Sequence, residues 1–178
     1  MRKLLITTVA FLLLLGCASS GPRIATNVDA SVNFSAFKTY NLMQPLGTDR
    51  SGVRTPLSNM LANSMGRELE NRGFRRSDNP DILINFFVNT EQRLDVRQVP
   101  TAGSFHGYRR NRYRTWGSYE TRVREYTQGT LAVDVVDPAR NMLVWEGVAQ
   151  GRLRRSDREI TQERVDEVVG HLMVQFGK

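Results

Sequence analysis

Apolar positions recur along the chain with two distinct periods. Leu57, Met60, Leu61, Met65 and Leu69 return at steps of three and four, which predicts one apolar stripe on a helix. Thr55 is placed to cap that helix, and Pro56 suits its first position. Gly73 supplies a left-handed stop, after which Phe74 would touch Leu69 as in a Schellman ending. A second stripe, through Val165, Val168, Val169, Leu172, Met173 and Phe176, predicts a closing helix. Its start is expected near Ser156, with Ser156 and Glu159 spaced as a capping box.

The other period is two. After the turn Asn79-Pro80-Asp81, Ile82, Ile84, Phe86 and Val88 alternate with Leu83, Asn85, Phe87 and Asn89, and Leu94 and Val96 lie in phase to continue the strand. Residues 126–151 read as a hairpin. Leu131, Val133 and Val135 alternate with Ala132, Asp134 and Val136, the run from Asp137 to Asn141 is turn chemistry, and either Leu143 and Trp145 or Met142 and Val144 return on the other arm. Residues 28–42 hold two short extended segments anchored by Phe34, Phe37 and Tyr40. The order of strands, helix, strand, hairpin and helix predicts an α+β two-layer sandwich, a largely antiparallel sheet with two helices packed on one face.

The first residues change the picture of where this domain works. Arg2 and Lys3 precede an uncharged run from Leu4 to Leu15. That run is too short for a bilayer span, which needs about 20 residues, but it has the form of a secretory leader. It ends Leu14-Leu15-Gly16-Cys17, which resembles the bacterial lipobox. The resemblance implies diacylglycerol on the Cys17 thiol, removal of residues 1–16 and acylation of the new amine. Two acyl chains make a stable anchor, at roughly 0.8 kcal/mol per buried methylene. Cys17 is the only cysteine, so no intrachain disulfide can form. Ala18, in place of the aspartate that often retains lipoproteins at the inner membrane, implies the outer membrane. Residues 17–26 are expected to be a lipidated tether of at most about 30 Å, and residues 27–178 a single periplasmic domain. No cofactor is expected beyond the covalent lipid.

Three fragments, "NFSAFKTYNL", "PDILINFFV" and "YTQGTLAVDVVDPARNMLVWEGVAQG", together resemble a Gram-negative lipoprotein family defined as a domain of unknown function, the DUF 4136 type. The likeness spans about residues 24 to 176. It implies an α+β periplasmic domain behind a lipobox and no established activity, so it supplies no catalytic residues.

Charge singles out one segment. The chain carries a formal net charge of +7, which becomes +5 without Arg2 and Lys3. Residues 103–124, "GSFHGYRRNRYRTWGSYETRVR", hold Arg109, Arg110, Arg112, Arg114, Arg122 and Arg124 against Glu120 alone, the same excess of +5. Tyr108, Tyr113 and Trp116 are interleaved with them. The segment reads as a loop, either a solvated connection or a binding loop in which arginine forks hold phosphate or carboxylate. In a cytosolic protein this pattern would suggest single-stranded nucleic acid. The deduced compartment argues against that and offers anionic lipid, lipopolysaccharide, peptidoglycan or an envelope protein instead.

The search for a reaction finds little. His106 and His171 stand apart and no cysteine cluster exists, so no metal site is expected. Asp134 belongs to the polar face of a strand, Asp137 opens a turn, and Asp166 and Glu167 are expected to face water. The expectation is a non-enzymatic, outer-membrane-anchored periplasmic lipoprotein that binds an anionic envelope component or a protein partner. The alternatives are an accessory subunit of an envelope assembly or transport complex, and a cell-wall hydrolase.

Overall fold

A computed structural model describes residues 21–101, 118–153 and 160–177. Six strands form one sheet: β1 Arg23–Val28, β2 Thr39–Leu42, β3 Arg75–Arg76, β4 Ile82–Thr101, β5 Ser118–Asp137 and β6 Met142–Leu153. Two helices, α1 Pro56–Asn71 and α2 Gln162–Met173, complete the α+β fold. The order across the sheet is β1-β6-β5-β4-β2-β3. Pairing is antiparallel except where β2 meets β3 and β4. Those parallel contacts need a long connection, and α1 lies within it.

The alternation in the sequence decides which side of the sheet is dry. Ile82, Ile84 and Phe86 of β4, with Val133 and Val135 of β5, are sealed from solvent. Leu61, Met65 and Leu69 of α1 and Val169 and Leu172 of α2 close over them in one core. Trp145 of β6 is buried, and its ring meets Phe176 edge-on at 5.3 Å. Phe176 in turn meets Phe34 at 5.6 Å, which seats the turn Phe34–Ala36 against the end of α2. Gly147 is required beneath Trp145: a Cβ there would lie 2.2 Å from the indole ring.

Helix ends follow local chemistry. The Thr55 hydroxyl accepts from Ser58 N at 3.0 Å, and Pro56 opens α1. At its end Gly73 has φ +88°, Gly73 N donates to Glu70 O and Phe74 N to Leu69 O, the paired bonds of a Schellman ending. Asp166 does not simply face water as expected. It accepts from Ser64 and Arg67 of α1 and from Gln162 Nε2 at 2.7 Å, tying the helices together. The Ser64 hydroxyl, then Gln162 and Arg67, hold its carboxyl below the usual range.

Three more expectations shift. Residues 23–26 are not tether but the start of β1, whose pairing with β6 runs from Arg23 opposite Gln150 to Val28 opposite Trp145. The closing helix starts at Gln162, because Thr161 is extended and its side chain accepts from Arg164 N; Ser156 and Glu159 lie outside the described residues. The stretch 103–124 is not all loop, since residues 118–124 belong to β5 and pair with β4.

Candidate functional site

The last pair between β5 and β6 is Thr127 opposite Leu153. β4 and β5 continue without β6, from Arg93 opposite Tyr126 to Thr101 opposite Ser118. At about 3.3 Å per residue, this two-stranded arm projects roughly 30 Å from the sheet. Since side chains alternate, the arm has two faces, and the register assigns them.

One face continues the side that the helices cover. It carries Leu94 and Val96 of β4 and Tyr119 and Val123 of β5, all exposed at 57–67%. These residues are in phase with Ile84, Phe86, Val133 and Val135 but lie beyond the helices' reach. The other face is ionic. Arg93 pairs with Glu91 at 2.9 Å, Arg97 with Asp95 at 3.2 Å and Arg122 with Glu120 at 3.3 Å. Arg152 reaches over from β6 to bond Asp95 at 3.0 Å, and its guanidinium lies 3.8 Å above the Tyr126 ring, a cation–π contact. The hydrogen bonds from Arg152 and then Arg97 hold the Asp95 carboxyl below its ordinary range.

Of the expected anion-binding residues, the structure places two. Arg122 and Arg124 stand on this ionic face of β5, opposite Arg97 and Asp95. Arg122 is neutralised by Glu120. Arg124 has no ion-pair partner among the described residues and is exposed. Cys17, Tyr108, Arg109, Arg110, Arg112, Tyr113, Arg114 and Trp116 lie outside the described residues.

At the base of the arm, between sheet and helices, opens a groove of about 840 Å³. Leu57 and Leu61 line it from α1, Val165 and Val168 from α2, and Leu131 and Ala149 from the sheet. The next pair outward on that side is Gly129 opposite Gly151, so β5 and β6 add no Cβ there, and the wall is made by Thr90 of β4 and by Leu153, whose side chain lies 3.2 Å from where a Gly129 Cβ would stand.

The far side of the sheet holds Asp134, opposite Asn85 on one neighbour and Glu146 on the other. Burial, then the Glu146 charge, raises its carboxyl above the ordinary range. Asp137 has separate work: it is buried and accepts from Ala139 N at 2.9 Å and Arg140 N at 3.1 Å, a turn role. His171 is exposed on α2, and His106 lies outside the described residues. Among the described residues no group of three or more metal-ligating side chains comes together, and no helix is long and apolar enough to cross a membrane.

Sequence reasoning overlooked Glu91, Arg93, Asp95, Arg97, Tyr126 and Arg152 as parts of this surface. The available signal is the alternation of charge in "EQRLDVR", residues 91–97, interleaved with Leu94 and Val96.

Residues 24–176 match the family described as Domain of unknown function (DUF4136). No curated protein matches the sequence. Among solved structures, the chain is similar to a PDZ domain protein from Parabacteroides distasonis ATCC 8503, with a TM-score of 0.56 and 15% identity over 88% of this chain. It spans 37% of that protein's length, and the likeness is one of fold. It is also similar to the PelC dodecamer from Paraburkholderia phytofirmans, with a TM-score of 0.47 and 9% identity, covering 85% of this chain and 94% of that one.

Proposed function

The chain belongs to the DUF4136 family, whose domain carries no assigned function, and from its own residues we propose that it is a non-enzymatic lipoprotein of the outer membrane. It is anchored on the periplasmic face through lipid on Cys17. Its β4–β5 arm and the basic segment beyond it bind an anionic component of the envelope. The observation that carries this reading is the lone cysteine directly after the leucine run, Leu14-Leu15-Gly16-Cys17. A sulfur used for lipid confines the domain to a bilayer surface, where phosphate and carboxylate are the anions at hand. Arg124, exposed and without a carboxylate among the described residues, adds to the positive charge that Arg109, Arg110, Arg112 and Arg114 supply in the sequence.

Two measurements test it. Mass spectrometry of the chain made in a Gram-negative host should find residues 1–16 removed and Cys17 triacylated; an unmodified chain starting at Met1 refutes the anchor. The chain should co-sediment with phosphatidylglycerol vesicles, lipopolysaccharide or peptidoglycan. Replacing the six arginines between 109 and 124 by serine should abolish that, and undiminished binding refutes the surface.

The exposed apolar face of the arm favours a second reading, an accessory subunit of an envelope assembly or transport complex. In that case crosslinking in cells recovers a stoichiometric protein partner that the arginine substitutions leave in place.

A further inference from the structure

β4 has a long free edge. β2 pairs with it only from Ile82 to Ile84. The loop after β2 covers the next residues, where a side chain on Gly47 would strike Phe86 O at 2.6 Å. From Val88 to Pro100 no described residue bonds that edge. Met43 N donates to Ile84 O at 2.8 Å, so Ile84 directs its backbone groups toward this side. The uninterrupted register with β5 then points the N–H and C=O of every even-numbered residue from Val88 to Gln98 the same way. Pro100, which has no N–H to offer, occupies such an edge position. An edge of this length is a template for another strand.

We propose that its occupant is a second copy of this chain, added antiparallel to β4 about a two-fold axis through Leu94. Charge selects both the partner and the register. Only registers that set even-numbered residues opposite one another can form the hydrogen bonds. Centred on Arg93, the pairing sets Arg93 against itself and Glu91 against Asp95. Centred on Asp95, it sets Asp95 against itself and Arg93 against Arg97. Centred on Gln92 or Val96, only one kind of opposite-charge contact forms. Centred on Leu94, Glu91 faces Arg97 of the second copy and Arg93 faces its Asp95, each twice by symmetry. These are the non-hydrogen-bonded sites, where Cα atoms stand about 4.5 Å apart and side chains are closest.

Leu94 is also the midpoint of the free stretch from Val88 to Pro100, so this register uses the whole edge. Charges of one sign along an edge would repel a copy; these alternate and are self-complementary. Exposed ion pairs contribute little free energy, so they set the register. The backbone ladder, with Leu94 and Val96 on the opposite face, supplies the affinity. The inference does not depend on the lipid anchor.

Sedimentation equilibrium of the full chain in mild detergent tests it. The wild type should dimerise. Glu91→Arg and Arg97→Glu should each weaken self-association by about tenfold or more, since each places two like-charge contacts across the axis. An equimolar mixture of the two variants should dimerise as well as the wild type, because each copy then meets its opposite charge. In a Cys17→Ser background, Leu94→Cys should crosslink across the axis, where Cα atoms are about 5.5 Å apart, and Val96→Cys should not. A monomeric wild type, a mixture that associates no better than its components, or a Val96→Cys crosslink as fast as that of Leu94→Cys overturns the proposal.

Discussion

Gly147→Ala is the smallest change that should injure this fold, and its cost can be worked from the core. The added Cβ would lie 2.2 Å from Trp145 Cη2, 2.8 Å from Cζ3 and 2.9 Å from Cζ2. Ordinary contact begins near 3.4 Å, so the ring must move by about 1 Å. It has little room to do so: Trp145 is 1% exposed and its ring already meets Phe176 edge-on at 5.3 Å. Overpacking of this kind costs about 1–3 kcal/mol. Removing a glycine from the unfolded chain returns about 0.4–1 kcal/mol. The net expectation is a loss of about 1–2 kcal/mol, or roughly 3–6 °C in Tm for a domain of this size. Urea unfolding followed by far-ultraviolet circular dichroism should show a lower midpoint with an unchanged slope. The decisive comparison is the same substitution in a Trp145→Leu background, where the obstructing ring is gone and the alanine should cost nothing or stabilise. Equal costs in the two backgrounds would show that the indole is not what demands glycine at 147.

Two further predictions concern charge and pH. Asp81 accepts from Lys38 N at 2.8 Å and Thr39 N at 2.9 Å, and these backbone bonds hold its carboxyl below the usual range. Its contribution is therefore complete above the unfolded pKa of about 4 and is lost as pH falls through the lower folded value. Asp81→Ala should cost about 1 kcal/mol at pH 7, and urea midpoints of variant and wild type should converge at the acid end of the titration. Asp134 has the opposite sign: burial and then Glu146 raise its carboxyl, so its ionisation costs stability as pH rises from the unfolded value through the folded one. Asp134→Asn should stabilise at pH 7, by up to about 1 kcal/mol for relief of a like-charge pair, with the gain absent below about pH 4; a gain unchanged at low pH would contradict this cause.

Where burial is one-sided, the chain announces its fold. The stripe Leu61, Met65, Leu69 and the alternation Ile82, Ile84, Phe86 each exist because one side of an element must be dry, and both appear in the core. Caps made by a residue and its immediate neighbours, at Thr55 and Gly73, were equally readable. The misread helix start shows the limit of that logic. Ser156 and Glu159 have the spacing of a capping box, but Thr161 three residues before Arg164 fits an N-cap too, and spacing alone does not rank two such signals. Residues 23–26 of β1 look like tether because the strand lies at the sheet edge and Arg23, Ala25 and Thr26 stay exposed. Its place is fixed by the partner strand β6, which no local pattern encodes.

The arm was hidden for a related reason. Tyr119, Thr121 and Val123 alternate with Glu120, Arg122 and Arg124, a strand pattern, yet the apolar residues are exposed and the arginines dominate the composition. Without a core to bury against, period two in such a segment looks like a solvated loop, and only the register with Val96, Arg97 and Gln98 shows it to be a strand. A two-stranded ribbon is marginal in water unless something else supports it. Near the base Arg152 does so, through Asp95 and Tyr126. Farther out, from Val96 to Pro100, the described contacts are those between the two strands themselves and short ion pairs along each one. A second ribbon laid against that edge would double the strands there, and this is why the dimer and the outer arm are expected to weaken together when Glu91→Arg sets like charges across the axis.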